Sequence, residues 1–153
     1  MEKLIELEGF EEEPKFNRRL ARDIAFKYIF AWQFYESETP DISSRLDEMA
    51  FGKKDRAYIE NAVKGVKENI AELDKIISEK TVNWKKERLS KLCLAGIRLG
   101  LYEILYDETI PYSVSVNEIV ELLKRYDTHE SAKYANGILG GFDKKDNEND
   151  SRN

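Results

Sequence analysis

Apolar side chains recur every three to four residues through almost the whole chain between Phe16 and Phe142. Leu20, Ile24, Tyr28, Ala31 and Tyr35 form one set. Ile59, Val63, Val66, Ile70, Leu73 and Ile77 form a second, and Leu89, Leu92, Leu99 and Tyr102 a third. Val116, Ile119, Val120 and Leu123 follow, then Ala132, Ala135, Ile138, Leu139 and Phe142. An α-helix turns once in 3.6 residues, so each set occupies one helix face that must be buried. No segment alternates with period two, and no hairpin signal is present. The pattern predicts an all-α fold of six or seven helices joined by short links.

Polar and breaking residues fall between these sets. Thr39-Pro40 opens a short helix reaching about Ala50, and Gly52 stops it. Asp55 is placed to cap a long helix that runs through Ile77. Ile110-Pro111 separates two helices, and Ser115-x-x-Glu118 has the form of a capping box. Thr128 is placed to cap the last helix, which Gly140-Gly141 ends. The break near residues 78 to 86 divides one domain, 14–142, into subdomains of about 14–80 and 81–142. Residues 1–13 hold six acids and one base, and residues 143–153 are polar. Both read as flexible extensions.

Several residues have a structural reading. Gly96 and Gly100 share a helix face and invite close approach of another helix. Arg98 and Glu103 lie in an apolar helix and need partners, because an unpaired buried charge is costly. Cys93 reads as a small buried hydrophobe. Trp32 and Trp84 read as packing residues, Asn136 and Gly137 as structural, and His129 as a surface residue.

Composition narrows the chemistry. With 153 residues, 41% hydrophobic and 36% charged, the chain fits one soluble, charge-rich domain. No run approaches the roughly 18 apolar residues a membrane span needs, and the acidic N-terminus does not read as a signal peptide. Cys93 is the single cysteine, which excludes an intrachain disulfide and fits a reducing, cytoplasmic setting. His129 is the single histidine, and no ligand spacing points to zinc. There is no Gly-rich phosphate loop and no Ser/His/Asp set. Thirty acids make neighbouring carboxylates commonplace. No catalytic residue, metal or cofactor is therefore expected.

Against a net charge of −5, the stretch from Pro14 to Tyr35 carries five bases and one acid. Arg18, Arg19 and Arg22 lie within one helical turn and can reach one ligand. They are predicted to face solvent while Leu20, Ile24 and Tyr28 face the core. Arginine's planar fork pairs bidentately with phosphate and stacks on bases, so the cluster suggests a nucleic-acid phosphate site. On composition alone an ordinary solvated helix face accounts for it equally well.

Six ordered motifs go further. Arg18-Arg19-x-Ala21-Arg22-x-x-Ala25 is followed by Asn61-Ala62-Val63-Lys64-Gly65-Val66 through Ile77. Then come Trp84 with Glu87-Arg88-Leu89, and Ile97-Arg98-Leu99-Gly100-Leu101-Tyr102-Glu103. Ile110-Pro111-Tyr112-Ser113-Val114-Ser115-Val116-Asn117-Glu118 and Tyr134-Ala135-Asn136-Gly137-Ile138-Leu139 complete the series. Each is weak alone; in this order, over residues 16 to 142, the chain resembles the NusB family of transcription antitermination factors. The resemblance implies two packed three-helix bundles and a non-enzymatic role. It implies binding to boxA RNA with NusE, a small-subunit ribosomal protein, in an antitermination complex on RNA polymerase during ribosomal RNA synthesis. Carried over by position, the RNA surface is Arg18, Arg19 and Arg22 with Glu130, Lys133 and Tyr134, and Phe30 lies near the partner surface. Tyr134 sits off the last apolar stripe, as a base-stacking ring would. Leu20 interrupts a run that is more continuously basic in some relatives, and the acidic segment before Arg18 adds charge of the opposite sign. Two alternatives stay open: a helical protein-interaction module without direct RNA binding, and an accessory domain to an RNA-modifying enzyme. NusB-like domains occur fused to RNA cytosine methyltransferases, and 153 residues leave no room for that second domain.

Overall fold

The computed structural model describes residues 17–34, 42–81 and 89–142. Seven α-helices lie among them: α1 (Arg18–Trp32), α2 (Ile42–Asp47), α3 (Lys53–Glu68), α4 (Ile70–Lys80), α5 (Lys91–Tyr106), α6 (Tyr112–Tyr126) and α7 (His129–Leu139). A single 3-10 turn, Gly140–Phe142, follows α7. The described residues contain no strand. The acidic segment 1–13, the polar tail 143–153, Tyr35, Thr39-Pro40, Trp84 and Glu87-Arg88 lie outside the described residues.

The core is organised by α5. Every residue from Cys93 to Ile104 is buried, as befits a helix that is apolar nearly all round. It packs against α1, α3 and α4 on one side and α6 and α7 on the other. Pairing of α1 with α3, and of α6 with α7, completes two three-helix groups. Gly96 and Gly100 permit the second contact. A Cβ at Gly96 would stand 3.1 Å from Leu123, and one at Gly100 would stand 2.9 Å from Leu139. Cys93 is buried in the same core, and burial pushes its thiol pKa up.

Local chemistry sets the helix ends, and several differ from the expectations. Thr128 does cap α7, its hydroxyl accepting from the Ser131 amide, and Ser90 caps α5 in the same way. Gly52 does not end a helix; it stands in extended backbone at the N-cap of α3. Asp55 is not a cap. It lies in the first turn of α3, at its third residue, fully buried, because Arg18 and the Asn17 amide draw it inward. Ser115 is likewise no capping-box residue: Pro111 holds the N-cap of α6, and buried Ser115 bonds Glu103. The expected long helix breaks at Asn69, whose backbone leaves the helical region and whose side-chain amide donates to the Gly65 carbonyl. A side chain that satisfies a helix-end carbonyl competes with continuation of the helix.

Candidate nucleic-acid interface

Helix α1 starts with basic residues, against the sense of its own dipole. Asn17 caps it by accepting from the Leu20 amide, and its first turn holds no acid. The countercharges come from other helices. Arg18 donates from Nε to Asp55 of α3 at 3.0 Å, with its guanidinium 4.5 Å from the Tyr58 ring centroid. Arg19 donates from Nε and Nη2 to the two Glu118 oxygens of α6 at 3.2 and 3.1 Å. Arg22 donates from Nε and Nη2 to the two Glu103 oxygens of α5 at 2.7 and 3.0 Å.

The expectation that all three arginines face solvent is corrected here. The Arg22 side chain is 3% exposed and its partner Glu103 is fully buried. Helical geometry explains this: Ala21, Arg22, Ala25, Phe26 and Ile29 form the buried face of α1, spaced as i, i+3, i+4 and i+7 neighbours. Leu20, expected in the core, is displaced from that face and is 46% exposed. Burial disfavours the Arg22 charge, but the doubly bonded Glu103 carboxylate outweighs it and raises the pKa. Glu103 also accepts from the Tyr58 hydroxyl at 2.6 Å and the Ser115 hydroxyl at 2.9 Å. One carboxylate thus ties α1, α3, α5 and α6 together, with its lone pairs well used. Burial, then the adjacent carboxylate, pushes the Tyr58 phenol up. Arg22 has no open edge for a ligand; it fixes the base of the site.

The part of this cluster open to solvent is Arg19, whose side chain is 65% exposed. Its hydrogen bond to Glu118 holds that carboxyl below its ordinary range, against the opposing effect of partial burial. Farther along the same seam, Arg125 of α6 bonds Asp23 of α1 at 2.6 Å, and the Tyr126 hydroxyl donates to the same carboxylate at 3.2 Å. Arg98 pairs bidentately with Asp74 of α4 at 2.9 Å, meeting the expectation that it and Glu103 sit in buried networks.

Glu130, Lys133 and Tyr134 come together on α7. With Lys80, Gly137, Ile138 and Gly141 they line an open groove of about 590 Å³ between α7 and the end of α4. Tyr134 is half-buried against the core, and burial raises its phenol pKa. Glu130 and Lys133 are exposed. Gly137 is not a packing glycine: no atom lies within 4 Å of where its Cβ would be, so it opens the groove floor, and Asn136 is exposed beside it. Lys80 escaped the sequence reading, because a lysine ending a helix is ordinary; only the fold brings it to this groove. Its ammonium lies 5.2 Å from the Phe142 ring centroid. Phe30 is half-buried, and its ring meets Phe34 edge-on at 5.2 Å. Phe34 is 58% exposed. The described residues hold no cluster of metal-ligating side chains, and none of their helices is long and apolar enough to cross a membrane.

The chain is thus an all-helical body of two packed groups, with arginines at its first helix and a groove lined by Tyr134, Lys80, Lys133 and Glu130 on its last. The NusB family model matches residues 19–144, and the chain belongs to that family. The transcription antitermination protein NusB of Ruminiclostridium cellulolyticum is 41% identical over 130 residues, covering 84% of this chain and 90% of that protein. The NusB structure of T. maritima is 34% identical with a TM-score of 0.74, covering 84% and 91% of the two chains. A crystal structure of the antitermination factors NusB and NusE with dsRNA shares the fold, at 24% identity and a TM-score of 0.72, covering 82% of this chain and 94% of that one.

Proposed function

We propose that this protein is a transcription antitermination factor that binds boxA RNA together with NusE, as part of an antitermination complex on RNA polymerase. Its role is that of a non-enzymatic cytoplasmic adaptor. Family membership supplies the process, from relatives that carry the antitermination name. The solved NusB–NusE–RNA complex supplies the classes of partner. The observation that carries the site is the groove on α7. There Tyr134 offers a ring face and Lys80 and Lys133 offer two cations, the combination that holds single-stranded RNA by stacking and phosphate contact. Arg18 and Arg19 contribute charge from the start of α1, and Arg22 positions that helix without touching RNA. Glu130 orients the neighbouring cations. Phe30, with the exposed Phe34 beside it, belongs to the surface that receives NusE.

The test is a titration of boxA-like RNA with the full chain, with and without NusE, for wild type and for Lys133→Ala and Tyr134→Ala. NusE is expected to strengthen binding, because few phosphate contacts are available on an acidic body. Both substitutions are expected to weaken it. Equal affinity of all three proteins, with NusE present, would reject the groove as the RNA site.

A further inference from the structure

In the free protein the outward edge of Arg19 is already occupied. Its Nε and Nη2 are the edge a phosphate would take bidentately, and both are bonded to Glu118 at 3.2 and 3.1 Å. Glu118 has a second cation within reach. Its Oε2 lies 3.8 Å from Arg22 Nη1, the one terminal nitrogen of that guanidinium not bonded to Glu103. The two cations are not equivalent. Arg19 is exposed to solvent, whereas Arg22 is buried and clamped by Glu103.

We propose that Glu118 is an internal competitor for RNA phosphate: it holds the Arg19 fork in the free protein and yields it to phosphate by shifting onto Arg22 Nη1. The inference rests on the reading of Arg19 as a phosphate contact. The exchange leaves no charge unpaired, since the carboxylate passes from one arginine to the other as the phosphate arrives. Arg125 on the same helix adds to the positive field that keeps Glu118 ionised throughout. The consequence is selectivity. An isolated phosphate must displace a carboxylate already in fork geometry, whereas an RNA strand also anchored at the α7 groove presents its phosphate at high local concentration. Glu118 thereby suppresses loose binding of unrelated polyanions.

The experiment is a binding titration of the full chain with a single-stranded boxA-like RNA at low salt, for wild type, Arg19→Ala, Glu118→Gln and the double variant. Arg19→Ala is expected to weaken binding. Glu118→Gln keeps the side chain's size and removes its charge, and is expected to strengthen binding roughly threefold to tenfold, an effect that shrinks as salt rises. The double variant is expected to lose that gain. If Arg19→Ala weakens binding and Glu118→Gln does not strengthen it, Glu118 is no competitor, although Arg19 remains a phosphate contact. If Arg19→Ala changes nothing in either background, both readings fall. A second measurement needs no variant: carbon NMR of the wild-type Glu118 carboxyl, with RNA added, is expected to show a shift on saturation. A carboxyl signal unmoved by saturating RNA overturns the exchange.

Discussion

Arg19 and Arg22 stand three residues apart on α1, and each closes a two-pronged fork on a glutamate from another helix. The chemistry is the same and the setting is opposite. Arg22 and Glu103 are removed from water and share their charge with Tyr58 and Ser115. Arg19 is solvated and its glutamate partly so. In the interior the cost of desolvating two ions is large, and their mutual bonds must repay it in full. At the surface water competes with every bond, so the pair contributes little to folding and its members remain available to a ligand. One cluster of basic residues therefore divides into a fastening and, on the function proposed above, a handle, and burial decides which is which.

The sharpest way to break the fastening is Glu103→Ala. It would strip buried Arg22 of both its Glu103 bonds, leaving only Glu118 at 3.8 Å, with two orphaned hydroxyls beside it. A loss of about 3–5 kcal/mol is expected, on the scale for a buried pair that loses one member, read from the denaturant midpoint. Arg22→Ala is expected to behave similarly. For that reason a combined alanine substitution of Arg18, Arg19 and Arg22 would not isolate RNA binding: it would unseat α1. A double exchange, Arg22→Met with Glu103→Leu, is expected to recover much of the loss, because paired removal leaves no lone charge. If the double variant were as unstable as the single ones, the node would owe its value to Tyr58 and Ser115 and not to the ion pair.

On the ligand side, Tyr134→Ala sharpens the comparison. Tyr134 is only half-buried at the groove, so its removal is expected to fall mainly on RNA. Stacking of one base on an aromatic ring is worth about 1–3 kcal/mol, a loss visible in the same titration as a roughly fivefold to 150-fold weakening at constant salt. A variant that lost stability instead, with RNA affinity intact, would make Tyr134 a core residue.

How far the sequence anticipates these two regions can be said residue by residue. Helical period marked five apolar stripes, because burial of one face is what forms a helix, but it ran α3 and α4 together; Gly96 and Gly100 announced the tight contact with Leu123 and Leu139. Arg98 and Glu103 were legible as charges in need of partners, since each interrupts an apolar helix. The partner of Glu103 was not legible. Arg22 follows two other surface-like arginine signals, and its distance of 81 residues from Glu103 leaves no local trace. A signal did exist: Arg22 shares its spacing with Ala21, Ala25, Phe26 and Ile29, a more continuous apolar face than the one running through Leu20. Asp55 and Ser115 misled for a related reason. Their residue types favour helix caps, but long-range bonds to Arg18 and Glu103 claimed them first. Lys80 was hidden because a groove between distant helices has no signature in either one.

A finer test of the buried node is Tyr58→Phe, which removes one hydroxyl and leaves the ring against Arg18 and Arg22. Glu103 would still hold Arg22 and Ser115. The expected loss is about 1.5–3 kcal/mol if the bond behaves as one to a full charge, or about 1 kcal/mol if it behaves as an ordinary hydrogen bond. A neutral result would show that Arg22 and Ser115 together satisfy the carboxylate.

The smallest effect lies at the exposed pair, and its dependence on pH identifies it. Arg19→Ala is expected to leave the midpoint at neutral pH nearly unchanged, in contrast to Arg22→Ala. What little Arg19 contributes passes through Glu118, whose carboxyl it holds below the ordinary range. A carboxyl with a lowered pKa in the folded state stabilises the fold above its unfolded value of about 4.3. That contribution fades as pH falls through the lowered folded value. Arg22 and Arg125 still face Glu118 in the variant, so only part of the contribution disappears with Arg19. The stability difference between wild type and Arg19→Ala should therefore be small and constant above the carboxylate range, then close as Glu118 protonates. Urea midpoints taken at intervals down into the acid range would show this closure. A difference that stayed constant as Glu118 protonated would mean that Arg19 acts on the fold through its aliphatic stem and not through its charge, and the handle would then be partly a fastening as well.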